Sequence, residues 1–108
     1  MNLLFICTFN QMRSCTAEQI YSSEKLYNAR SAGTEKKKSG KITGELILWS
    51  DIIFVMEDEH EEHLLEKFPE HVRNKLIVNL DIPDNYFFMD PELVDLIKSR
   101  VSPYLKPA

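Results

Sequence analysis

The chain has 108 residues, enough for a single domain spanning 1–108 with one modest core. Hydrophobic residues make up 44% and charged residues 28%, the balance of an ordinary soluble globular protein. The formal net charge of -4 argues against any general attraction to nucleic acid or anionic membrane.

No apolar run approaches the roughly 20 residues that a bilayer span needs. Residues 1–6 are too short for a signal peptide and lack a basic leader and a cleavage site, so the expected compartment is the cytoplasm. Two cysteines, Cys7 and Cys15, make a poor disulfide framework. In a reducing compartment a thiol near the N-terminus is a candidate reactive group.

Residues 2–6 (NLLFI) form a short continuous apolar run, the pattern of a strand buried on both faces. Helical spacing begins at Ser14, with Ala17, Ile20 and Tyr21 on one face, Ser14 as N-cap and Glu18 as a first-turn acid. Residues 27–32 (YNARSA) predict a second strand closed by Gly33, and 35–40 (EKKKSG) a basic loop. Residues 43–49 predict a short helix capped by Thr43, and 51–56 (DIIFVM) the clearest buried strand. Residues 58–68 read as a charged amphipathic helix burying Leu64, Leu65 and Phe68. Residues 75–79 (KLIVN) predict a fourth strand, 80–89 a long loop, and 90–104 a closing helix with Pro91 in its first turn and Asp90 as its cap. Strands alternating with helices imply an α/β fold: three layers, a four-stranded parallel sheet and helices on both faces. Ligands bind such sheets beyond the carboxyl ends of the strands, where Cys7 and the loop containing Asp81 and Asp84 both fall.

The segment CTFNQMRS, Cys7 to Ser14, links the first strand to a helix and carries Arg13 six positions after Cys7. Backbone N–H groups in such a loop can converge on an anion, and the helix dipole adds to them. The same donors favour a thiolate at Cys7. Arg13 supplies a planar fork for two phosphoryl oxygens, and Ser14 can donate to the sulfur.

At these residues the chain resembles the low-molecular-weight protein tyrosine phosphatases, whose signature is a C-x5-R-S loop after the first strand. The likeness continues in TAEQI (residues 16–20), SAGT (31–34), the KIT and SDIIFVMEDE segments (41–43 and 50–59) and DIPDNYFF (81–88), in family order over nearly the whole chain. The resemblance implies Cys7 as nucleophile, Arg13 as phosphate clamp and Asp84 as general acid. It implies Asn10 as the loop-stabilising asparagine, Ser14 as thiolate partner, and Tyr86 and Phe87 as an aromatic wall. Thr8, Phe9, Gln11 and Met12 complete the phosphate-binding loop. The implied function is a phosphatase hydrolysing phosphotyrosine or small aryl phosphate esters through a phosphocysteine. Its expected partner is a phosphorylated protein or small phosphate ester, and it needs no cofactor and no metal.

The chain is a shortened form of that family. Only EKKKSG stands between SAGT and KIT, where the family has a loop and helix forming one cleft wall, leaving an open cleft edged by Lys36, Lys37 and Lys38. Asn85 replaces a common proline after the acid, and Phe9 a commonly small loop residue. Met12 stands where some members have a second cysteine, so that disulfide cannot form, and Cys15 is expected to point elsewhere.

Plainer readings compete for several residues. Asp81 is the alternative acid to Asp84, whose plainer reading is a turn residue beside Pro83. Of Tyr86, Phe87 and Phe88 at least one is expected in the core, as is Trp49. The stretch His60-Glu61-Glu62-His63 lacks the HExxH spacing and a third ligand, and reads as a solvated helix face. Lys36 to Lys38 read as a solvated loop. An arsenate reductase-like enzyme would need two further relay cysteines, and only Cys15 remains. A sugar-transport phosphotransferase loop would lack Arg13. A phosphate- or phosphoprotein-binding module with little turnover is the alternative from a different class.

Overall fold

The computed structural model describes residues 1–35 and 40–105. The basic stretch Lys36 to Lys38 lies outside them. Four strands, β1 (Asn2–Cys7), β2 (Asn28–Gly33), β3 (Ile52–Val55) and β4 (Leu76–Asn79), form one parallel sheet in the order β2-β1-β3-β4. The helices are α1 (Arg13–Ser22), α2 (Gly44–Trp49), α3 (Asp58–Lys67) and α4 (Pro91–Val101), and a 3-10 turn over Ser102–Tyr104 follows.

The alternation of the strands sorts the core into two apolar layers. Leu3, Phe5, Ile52, Phe54 and Val78 face α1 and α4, packing on Ala17, Ile20, Leu93, Ile97 and Val101. Leu4, Ile6, Ile53 and Val55 face the other way, onto Ile47, Leu64 and Val72. The continuous apolar runs read from the sequence are thus strands covered on both sides. Phe5 is the hub of the first layer, stacked on Phe54 at 5.2 Å and on Tyr21 at 5.6 Å between ring centroids.

Thr43 caps α2 by accepting from the Leu46 N–H, and Asp90 caps α4 by accepting from the Glu92 N–H, with Pro91 in the first turn. The start of α1 differs from expectation. The helix begins at Arg13 with Met12 in the cap position and no side-chain cap. The Ser14 hydroxyl is drawn away to Asn10 and Cys7, so Ser14 is not the cap. With the start moved, Glu18 falls beyond the first turn and accepts from the Ser31 hydroxyl across the gap to β2. On α3, Leu64 is buried but Leu65 is 52% exposed, because the one apolar stripe of this charged helix passes through Leu64. Trp49 is only half-buried, and the Arg30 guanidinium lies 4.5 Å from its ring centroid.

Candidate active site

Cys7 ends β1 at the carboxyl edge of the sheet and is nearly buried. The chain then turns through Thr8–Met12 into α1. The turn needs a left-handed residue, and Asn10 supplies it at φ 53, a conformation that asparagine tolerates. Ser14 is fully buried beneath the loop, its Oγ 3.0 Å from Cys7 Sγ and 2.8 Å from Asn10 Oδ1. A hydroxyl has one proton, so Ser14 gives it either to Asn10 or to the sulfur. Asn10 keeps a donor either way, because the Cys15 thiol reaches both its backbone carbonyl and its side-chain oxygen. Cys15 therefore faces Asn10 from the first turn of α1.

The second strand holds the loop from one side. Thr34 N–H donates to the Cys7 carbonyl at 3.0 Å and Glu35 N–H to the Thr8 carbonyl at 2.8 Å. The approach is close enough to require Gly33: a Cβ there would lie 2.7 Å from Thr8 O and 2.9 Å from Asn10 N.

Arg13, 2% exposed, is fixed by its Nη1, which donates to Glu57 Oε1 at 2.5 Å and to the Ile82 carbonyl at 2.8 Å. Asp84 Oδ1 lies 3.8 Å from Arg13 Nε, with the Asp84 side chain 64% exposed. Asp84 belongs to the 80–89 loop, which is tied down at three places. Arg100 of α4 donates to the Leu80 and Asp81 carbonyls, Arg13 to that of Ile82, and Thr16 Oγ1 accepts from the Met89 N–H.

A pocket of about 380 Å³ opens between the Cys7 loop and the 80–89 loop. Cys7, Thr8, Phe9, Gln11, Met12, Arg13, Asp84, Tyr86 and Phe87 line it, joined by Asn85. Asn10 and Ser14 do not line it; their side chains meet in the hydrogen-bond network with Cys7. Asp81 stays outside the pocket, its backbone left-handed at φ 53 and its N–H donated to Asn79 Oδ1. Of the aromatic trio, Tyr86 packs against the core, Phe87 is 77% exposed at the pocket rim, and Phe88 lies half-exposed beside a neighbouring groove.

Two residues at this site were not expected from sequence. His60 is fully buried, which corrects its reading as part of a solvated face. Its Nδ1 accepts from the Glu57 N–H and its Nε2 meets Thr8 Oγ1, each at 3.0 Å. Glu57 accepts in return from the His60 N–H, so the pair forms a capping box at the start of α3. The legible signal was Glu57 and His60 three apart at a helix start, with Glu in place of the usual Ser or Thr. Burial, with the Arg13 guanidinium and His63 adding to it and Glu57 and Asp84 opposing, pushes the His60 imidazole from 6.5 down to about 4. Ligand atoms of Glu57, Glu59 and His60 lie within 4.8 Å of one another. A metal there would have to displace Arg13 from Glu57 and break a hydrogen bond at His60.

The chain has the fold of the low-molecular-weight protein tyrosine phosphatases. The low-molecular-weight protein tyrosine phosphatase of Streptococcus pyogenes superposes with a TM-score of 0.76 at 17% identity, over 97% of this chain and 93% of that one. The YwlE arginine phosphatase of Geobacillus stearothermophilus gives 0.74 at 21% identity, over 95% and 91%. The tyrosine phosphatase Wzb of Escherichia coli K30, in complex with phosphate, gives 0.68 at 21%, over 95% and 94%. No family model matches the sequence. No curated protein matches it either. Among the described residues no helix is long and apolar enough to cross a membrane.

Proposed function

We propose that the protein is a cysteine-dependent phosphatase that hydrolyses phosphotyrosine or small aryl phosphate esters through a phosphocysteine. The observation that carries this reading is the meeting of Cys7, Arg13 and Asp84 at one pocket. With Nη1 of Arg13 committed to Glu57 and Ile82, Nε and Nη2 remain to hold two oxygens of a phosphoryl group over Cys7. The Cys7 thiolate attacks phosphorus and the P–O bond to the leaving group breaks. Asp84, protonated, passes its proton to the leaving oxygen. As a carboxylate it then takes a proton from water, which attacks the phosphocysteine and frees phosphate and the thiolate. Loop amides and Arg13 carry the charge on the equatorial oxygens. Asp84 suits the acid role better than Asp81, which lies outside the pocket.

The substrate is a phosphorylated protein or a small phosphate ester, the cleft being edged by Phe9, Tyr86 and Phe87. Likeness to an arginine phosphatase makes phosphoarginine peptides the second class to assay. Stopped-flow hydrolysis of an aryl phosphate tests the reading. Wild type should show a burst and steady turnover, and Cys7→Ser should abolish both while still binding phosphate. Phosphate binding without turnover in the wild type would instead make the protein a phosphate-binding module.

A further inference from the structure

Glu57, Glu59 and His60, at the start of α3, touch both ends of the phosphate loop. Thr8, just after the nucleophile, meets His60 and lies 3.5 Å from Glu59 Oε1. Arg13, at the far end, pairs with Glu57. His60 is what joins these contacts. Its Nδ1 receives the Glu57 N–H, so in the neutral ring the proton sits on Nε2. Nε2–H therefore donates to Thr8 Oγ1, and the Thr8 hydroxyl is left to donate toward Glu59. The ring is fully buried and held at both nitrogens, so it is a rigid spacer between the start of α3 and the loop.

We propose that His60 is a positioning residue, setting the placement of the Thr8 end of the phosphate loop relative to the Glu57-anchored Arg13. The proposal rests on the phosphatase reading for its rate effects, but the loop placement it describes also governs binding of plain phosphate. A capping role alone would use only Nδ1, whereas positioning needs Nε2. The two roles can be separated because asparagine offers an acceptor near the place of Nδ1, and glutamine a donor near that of Nε2.

The experiment compares His60→Asn, His60→Gln and Thr8→Val with wild type. The readouts are turnover of p-nitrophenyl phosphate, affinity for inorganic phosphate, and melting temperature. His60→Asn, which keeps the cap, should melt above His60→Gln and lose about 10- to 100-fold in kcat/KM, the scale of an ångström-sized misplacement. His60→Gln should melt lower yet stay within about threefold of wild-type kcat/KM, the Thr8 bond being kept. Thr8→Val should match His60→Asn, and combining the two should add little, as for residues acting through one contact. The order of stability and the order of activity thus reverse between the two His60 variants. Wild-type activity in His60→Asn, or His60→Gln no more active than His60→Asn, overturns the proposal. If the wild type does not turn over, the phosphatase reading fails. The same order is then sought in phosphate affinity, where equal affinities in all variants overturn the positioning role.

Discussion

Mild acid should weaken this fold through His60. The folded chain resists charging the ring, whose value lies near 4 against 6.5 when free, first because it is buried and next because Arg13 of α1 stands beside it. The other charges that face it are Glu57, Glu59 and His63 around α3 and Asp84 from the 80–89 loop. As pH falls below 6.5 the unfolded chain takes up a proton that the folded chain refuses, so stability drops. The drop continues to about pH 4 and then levels off. At about 1.4 kcal/mol per pH unit, the window is worth about 3 kcal/mol. That is a large part of the roughly 5–15 kcal/mol that holds a small domain folded. Urea unfolding at pH 7 and pH 4 measures it, with His60→Asn as the reference that has no proton to gain. Wild type should lose about 3 kcal/mol more than the variant over that interval. The surrounding carboxylates titrate in both proteins and largely cancel. Equal losses would mean that folded His60 charges as readily as the free side chain, and the reasoning would fail.

Asp84→Asn should slow aryl phosphate turnover about 10²-fold or more, while Asp81→Asn stays near wild type in the same steady-state assay. The reverse pattern would move the acid to Asp81. Gly33→Ala drives a Cβ to within 2.7 Å of the Thr8 carbonyl, so it should cost about 1–3 kcal/mol by chemical denaturation and weaken phosphate binding with it. Phe54→Ala empties the space between Phe5 and the Tyr104 ring and should cost about 3–5 kcal/mol in the same unfolding assay.

The strands were legible because runs such as IIFV are too short and too uniformly apolar for a surface element, and the order of elements then left little choice of topology. The caps at Thr43 and Asp90 were legible because they satisfy donors only two or three residues away. Ser14 has the same chemistry but a longer-range claim on it, from a sulfur seven positions back. His60 was hidden for the same reason. Its partner Thr8 lies 52 residues away, and only the β1–β3 pairing brings them together. The Cys7-to-Arg13 loop showed its chemistry within one short segment. The guanidinium's orientation did not, because Glu57 and the Ile82 carbonyl, which set it, come from two other parts of the chain.

The three ties on the 80–89 loop bear on timing as well as on shape. With Leu80, Asp81 and Ile82 held at one end and Met89 at the other, only a short arch around Asp84 is free to move. An arch so short and so well anchored is a poor gate, unlike the hinged flaps whose opening limits many enzymes. With Asp84 and Phe87 standing largely in solvent, the rim of the pocket beside the arch lies open. On the proposed phosphatase reading, turnover in such a site would be paced by bond breaking rather than by admission, and the choice of substrate would fall to whatever the exposed rim can hold.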